Sequence, residues 1–248
     1  MRLSVAFTVL AALALMSAMP EARAQEVVAD LSSHLVAITT GFTGTSVVLF
    51  GSVEGSGDVI VVVNGPTRDI VVRHKSKIAA VWINTSQVIY QGVPSFYSVA
   101  SSKPLNEIAP PALRQMQQIG IENLRLTPDR VLTQAEAADF RAALIRNQQR
   151  AGLYVPDVAS VSFLGNRLFR ATIAFPANVP TGNFLVQVFL IRNGALVGAQ
   201  SVPLVVSQVG LDARVHDFAD RFALAYGIIA VGLAAIAGWL ASLPFRNA

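Results

Sequence analysis

The sequence predicts a mainly β protein: an antiparallel immunoglobulin-like β-sandwich with a two-helix insertion, followed by one C-terminal transmembrane helix. Three observations carry this expectation. Short runs rich in Val and Ile, bounded by Gly, Pro and Asn clusters, recur through residues 34–102 and again over 158–206, which is how strands and turns alternate in antiparallel sandwiches. Two segments with helix-end signals interrupt them, and Phe222–Leu243 contains no Asp, Glu, Lys, Arg or His. Composition agrees: of 248 residues, 53% are hydrophobic and 14% charged, against roughly 45–50% and 25% in an average soluble domain.

At the N-terminus, Arg2 precedes an uncharged apolar stretch, Leu3–Ala18, followed by Pro20 and Ala22-Arg23-Ala24. A basic end, a short apolar stretch and an A-x-A site together predict a signal peptide over residues 1–24, cut before Gln25. An exported body then spans 25–207, with a helical insertion at 105–152.

The strands expected in the body are His34–Thr39, Thr45–Val53, Asp58–Val63, Ile70–His74, Ile78–Ile83 and Phe96–Ser101. Gly55-Ser56-Gly57-Asp58 and Asn64-Gly65-Pro66 read as turns, because Gly and Asn tolerate positive φ and Pro fixes φ near −65°. Val59–Val63 is apolar on both faces and is expected at the centre of a sheet. Pro110-Pro111 opens a helix with Leu113, Met116 and Ile119 on one side and Gly120 as its stop. A second helix starts at a capping box, Thr133 with Glu136, places Ala137, Phe140 and Leu144 on one face, and stops at Gly152. Strands resume at Val158–Leu164, Leu168–Phe175, Phe184–Arg192 and Leu196–Val206. Within them Phe169 is expected inward and Arg170 outward, and Phe184, Val186, Val188 and Leu190 share one face. Arg192-Asn193-Gly194 supplies the last turn.

Beyond the body, residues 208–221 read as a juxtamembrane helix. The charge-free run 222–243 would reach roughly 33 Å as a helix at about 1.5 Å per residue, enough to cross a hydrocarbon core. Arg221 and Arg246 bracket it, and residues 244–248 form a cytoplasmic tail, giving a single-pass type I arrangement in a bacterial inner membrane with the bulk in the periplasm. Gly227, Ala230, Ala234, Gly238 and Ser242 make a small-residue row where a second helix could pack closely, either a copy of this chain or a membrane protein.

Chemistry is scarce. Absence of Cys removes thiolate catalysis and cysteine metal sites, and His34, His74 and His216 stand alone without metal-ligand spacing. No nucleotide-binding or nucleophile-elbow motif occurs. A net charge of +4 is too small for nucleic-acid binding. Glu54 and Asp58 flank one turn and read as a solvated hairpin end rather than a glycosidase pair. The aromatic side chains of Trp82, Tyr90, Phe96 and Tyr97 are read as core rather than a binding patch. The one conspicuous charge feature is Arg73-His74-Lys75-Ser76-Lys77, with Arg68 upstream, expected at a strand end as a basic turn kept soluble by its charge, with contact to an anion, a phosphate headgroup or an acidic partner as the alternative.

Several stretches together resemble the alphaproteobacterial putative transmembrane protein family, exported chains with one C-terminal span. They are Gly41-Phe42-Thr43-Gly44-Thr45, Leu49-Phe50-Gly51, Asp58 through Pro66, Val81-Trp82-Ile83-Asn84 and Pro94-Ser95-Phe96-Tyr97. Leu168-Phe169-Arg170-Ala171-Thr172, Pro176 through Gly182, and Tyr226-Gly227 complete the set. The resemblance implies an envelope location and association with a sulfite-exporter-type permease. It supplies no catalytic residue and no cofactor. The function expected is therefore a non-enzymatic membrane-anchored accessory or binding protein. The rival readings are an anion- or solute-sensing periplasmic domain and an envelope hydrolase or transferase with a site near His74, Asp58 and Glu54.

Overall fold

In the computed structural model the residues described are 26–78, 81–209 and 222–242. The expected leader, the stretch from 210 to 221 and the tail lie outside them. The protein is mainly β. Its strands are β1 (Val27–Leu31), β2 (Leu35–Ile38), β3 (Gly44–Val53), β4 (Asp58–Asn64), β5 (Thr67–Ile78), β6 (Val81–Pro94) and β7 (Tyr97–Ser101), then β8 (Thr127–Pro128), β9 (Ala159–Leu164), β10 (Leu168–Pro176), β11 (Gly182–Arg192) and β12 (Ala195–Gln208). Helices α1 (Leu105–Ile108), α2 (Pro111–Met116) and α3 (Gln134–Arg150) lie between β7 and β9, and α4 (Ala223–Ser242) follows β12.

Among the described residues nine strands form one sheet in the order β1-β3-β10-β9-β7-β4-β11-β12-β2, and β5, β6 and β8 form a second. The large sheet folds over on itself around a continuous apolar core. Phe175 of β10 meets Phe184 of β11 edge-on at 5.7 Å, and Phe96 packs beside both, at 5.4 and 5.8 Å. Val59–Val63 is wholly buried, as an apolar strand held between β7 and β11 must be. In β10 exposed and buried residues alternate along the strand, with Phe169 inside and Arg170 outside. Gly51 is required where it stands, since any Cβ there would overlap the Phe169 ring and the Val28 carbonyl.

β1, which the sequence reading did not anticipate, pairs with β3 on one side. On the other side the Gln200 side chain of β12 serves it. Gln200 Oε1 accepts from Ala29 N at 2.6 Å, and its Nε2 donates to Ala29 O at 3.0 Å. One amide thus occupies backbone groups that an edge strand would leave unpaired.

The insertion contains the second expected helix as α3. Thr133 Oγ1 accepts from Glu136 N, and Glu136 Oε2 accepts from Thr133 N at 3.1 Å, so both halves of the capping box form. Phe140 and Leu144 are buried. The first helix is shorter than expected: α2 stops at Met116, which is 70% exposed, because Gln118 takes a positive φ of 52° and redirects the chain. Ile119 alone of that end reaches the core.

A larger correction concerns residues 65–94. Gly65-Pro66 is not a reversal. The ladder pairing Asn64 with Tyr97 continues through Gly65 N donating to Phe96 O at 2.8 Å and Ser95 N donating to Pro66 O at 2.9 Å. It then runs on as Thr67 opposite Pro94 and Arg68 opposite Val93. Pro66 lacks an N–H, yet its carbonyl still accepts, so the pairing survives. The segments expected as strands Ile70–His74 and Ile78–Ile83 are thus parts of one hairpin, β5–β6. Arg73–Lys77 lies within β5 rather than after a strand, because its cations occupy the outward positions of an alternating strand.

The C-terminal run expected to cross a membrane is helical as α4. Counted over the described side chains alone, no helix is long and apolar enough to cross a membrane. The side chains of several α4 residues, Tyr226 and Leu240 among them, lie outside that set. The helix has 20 residues and no acidic or basic residue in its terminal turns. Leu224, Ile228, Leu233 and Ile236, which span about half of its circumference at 100° per residue, are 86%, 74%, 62% and 57% exposed. The sequence position expected as a juxtamembrane helix begins at Gln208, which is instead the last residue of β12.

Candidate functional site

The β5–β6 hairpin is an arm. Its 12-residue first strand spans about 40 Å at roughly 3.3 Å per residue. Two irregularities, between Arg68 and Ile70 and between His74 and Lys75, add local twist. Near the base, β8 pairs with β6 through Tyr90 opposite Pro128, and Ile89 N donates to Asp129 Oδ1 at 3.1 Å. One face of the arm lies against α3. On that face Val72, Val88 and Tyr90 are buried, and the His74 ring meets Phe140 of α3 edge-on, with centroids 6.5 Å apart.

The opposite face carries Arg73, Lys75 and Lys77, all exposed. In register across from them stand Gln87, Asn84 and Trp82. Arg73 Nε donates to Gln87 Oε1 at 3.5 Å. No carboxylate occurs in the sequence from Ile70 to Tyr90, and among the described residues none of the three cations is ion-paired. Four other cations among the described residues are ion-paired, including Lys103 with Asp58 at 3.0 Å and Arg192 with Glu26 at 2.7 Å.

Of the five residues expected to gather, the structure therefore brings together three. His74 faces the other way, because neighbours in a strand alternate sides. Arg68 sits at the arm's base, where its charge offsets part of the raised pKa of Tyr154, an elevation caused chiefly by burial. Of the small-residue row expected in α4, Gly227, Ala234 and Gly238 are exposed, while the side chains of Ala230 and Ser242 lie outside the described set.

The carboxylates weighed for catalysis are not assembled with His74. Asp58 accepts from Ser102 Oγ at 3.1 Å and pairs with Lys103. The turn bearing Glu54 is held by Arg192, which donates to the carbonyls of Glu54 and Ser56. His34 lies 2.9 Å from Asp30 on the surface. Tyr90, Phe96 and Tyr97 are core residues. Among the described residues no three such side chains form a metal-holding group.

A groove of about 660 Å³ runs between α2, α3 and the 3₁₀ turn at Ile121–Asn123, lined by Met116, Glu122, Arg125 and Arg141. Arg141 there is structural, since its Nη2 donates to the carbonyls of Glu122 and Leu124, each at 2.9 Å. Beneath the insertion Tyr97 Oη donates to Gln118 O at 2.7 Å and accepts from Gly120 N at 2.8 Å. Burial raises the pKa values of Tyr97 and Tyr154 well above the usual 10.0.

What sequence reasoning missed is the arm itself. The available signal was alternation: Ile70 and Val72 on one side, Val71, Arg73, Lys75 and Lys77 on the other.

Fold and site together define a class: a β-rich body carrying a basic two-stranded arm and followed by an apolar helix. The chain belongs to the Putative transmembrane protein family, whose profile matches residues 26–247. The resemblance carried by the sequence motifs is thereby borne out, and the family's description is that of a membrane protein. No curated protein matches the chain.

Proposed function

We propose that this is a non-enzymatic accessory or binding protein of the bacterial inner membrane, its β body in the periplasm and Phe222–Leu243 crossing the bilayer. The observation that carries the reading is α4: twenty residues without a charge, whose described large apolar side chains, from Leu224 to Trp239, are all exposed. In water such a surface is unfavourable at about 25 cal/mol per Å², whereas in lipid it is matched. The signal-peptide pattern before Gln25 and a family region starting at residue 26 support export. The body reads as immunoglobulin-like, because β1 joins one half of the folded sheet through β3 while β2 joins the other, parallel to the final strand β12. The partner implied by the family resemblance is a sulfite-exporter-type permease. The row from Gly227 to Ser242 is where its helix, or a second copy, would pack.

Fractionation and partner recovery test this. The mature protein is expected to begin at Gln25, to stay with membranes through alkaline carbonate washing, and to lose its co-purifying membrane partner when Ala234→Leu and Gly238→Leu are introduced. A full-length chain with its leader retained and freely washed from lipid overturns the reading. Partner recovery unchanged by both substitutions overturns the packing role of the row.

A further inference from the structure

We propose that the β5–β6 arm reaches back to the membrane that holds α4 and lays its Arg73, Lys75 and Lys77 face on anionic phospholipid headgroups. This rests on the membrane-spanning reading of α4.

Topology supplies the first argument. β4 and β12 are each antiparallel to β11, with Leu185 opposite both Asn64 and Pro203. The two strands therefore run in the same sense and leave the body at the same pole. β4 continues through the unbroken ladder into the arm, and β12 continues towards α4. Arm and tether leave by one end.

Reach supplies the second. From the level of Asn64, the chain to Ile78 extends about 45 Å at roughly 3.3 Å per residue. From the matching level of Pro203, the strand to Val209 gives about 20 Å. The twelve residues from 210 to 221 can bridge at most about 40 Å, so the span can start up to about 60 Å from that level. The arm's length lies within this reach, so its tip and the start of the span can lie at one depth.

Chemistry supplies the third. The three cations recur at every second residue on one face, about 7 Å apart, unpaired with any carboxylate among the described residues. Gln87 and Asn84, opposite Arg73 and Lys75 in the register, add no negative charge to this face, and basic residues presented together suit anionic headgroups. Each Lys or Arg near an anionic surface contributes about fivefold to binding, so three contribute about a hundredfold.

The natural chain has no Cys, which allows single fluorescent labels at Asn84→Cys on the arm, Ser56→Cys at the opposite pole and Leu233→Cys in α4. The full mature chain is reconstituted in nanodiscs of phosphatidylcholine alone or with three-tenths phosphatidylglycerol. The Asn84 label is expected to be shielded from a neutral aqueous quencher only with phosphatidylglycerol. Shielding should be lost in 0.5 M NaCl and in the Arg73→Gln/Lys75→Gln/Lys77→Gln variant, while the Ser56 label stays accessible throughout. An Asn84 label equally quenched in both lipids overturns the proposal, and a lipid-shielded Leu233 label in the same sample leaves the anchor standing. A water-accessible Leu233 label overturns both. Shielding of Asn84 seen in native membranes but not in nanodiscs overturns lipid contact in favour of an acidic partner protein.

Discussion

Tyr97 shows how one buried hydroxyl ties the insertion to the sheet. Its oxygen serves both Gln118 and Gly120, and its ring meets Tyr154 edge-on at 6.0 Å. Burial raises both phenol pKa values above the usual 10.0. Above pH 10 the unfolded chain gives up these protons while the folded chain keeps them, so the folded state binds more protons and stability falls as pH rises. The slope is about 1.4 kcal/mol per pH unit for each such tyrosine. Urea midpoints measured from pH 8 to 11.5 are expected to drop beyond pH 10. Tyr97→Phe should shallow that drop while weakening the protein at pH 8 by about 1–3 kcal/mol, because Gly120 N and Gln118 O lose their partner. Midpoints level through pH 11 would refute this. Single residues were legible where strand alternation decides burial, as at Phe169 and Arg170. Met116 was misjudged because the backbone turns at Gln118, a non-glycine positive φ that composition does not announce.

At the scale of elements, α3 was readable because its signals are local. Thr133, Glu136 and Gly152 lie in or beside its terminal turns, and Phe140 and Leu144 recur at helical spacing. The Thr133 N–H that Glu136 accepts holds this carboxyl below its usual pKa. The cap's contribution is therefore present above the ordinary carboxylate range and fades as pH falls through the lowered value. Thr133→Ala is expected to cost about 1 kcal/mol, seen as a lower urea midpoint at pH 7. The difference from the natural chain should narrow below pH 4; a constant difference down to pH 3 would exclude the reciprocal cap. The arm was less legible, since a run of cations reads as a solvated turn until its pairing with β6 is known. That pairing is a hairpin between consecutive strands, and the residues joining them, Ala79-Ala80, carry none of the Gly, Asn or Pro signals that announce a turn.

Across the whole molecule, one side-chain amide bridges β1 and β12. Gln200→Leu would leave Ala29 N and O without that partner, at a cost of about 1–3 kcal/mol. Hydrogen exchange in the nanodisc-held protein should then accelerate at Ala29 before it does in β4, whereas unchanged protection of Ala29 would show that the amide contributes nothing there. The nine-strand order could not be read from the sequence, because β2 lies beside β12 and β7 beside β9 through contacts the chain reaches only after long detours. The parallel seat of β2 against β12 has a mechanical consequence. On the membrane-spanning reading of α4, a pull from the bilayer along β12 acts lengthwise against β11 on one flank and β2 on the other. The flanking bonds then share the load in shear instead of peeling apart one by one, so the last strand is a stiff mooring for the body it holds.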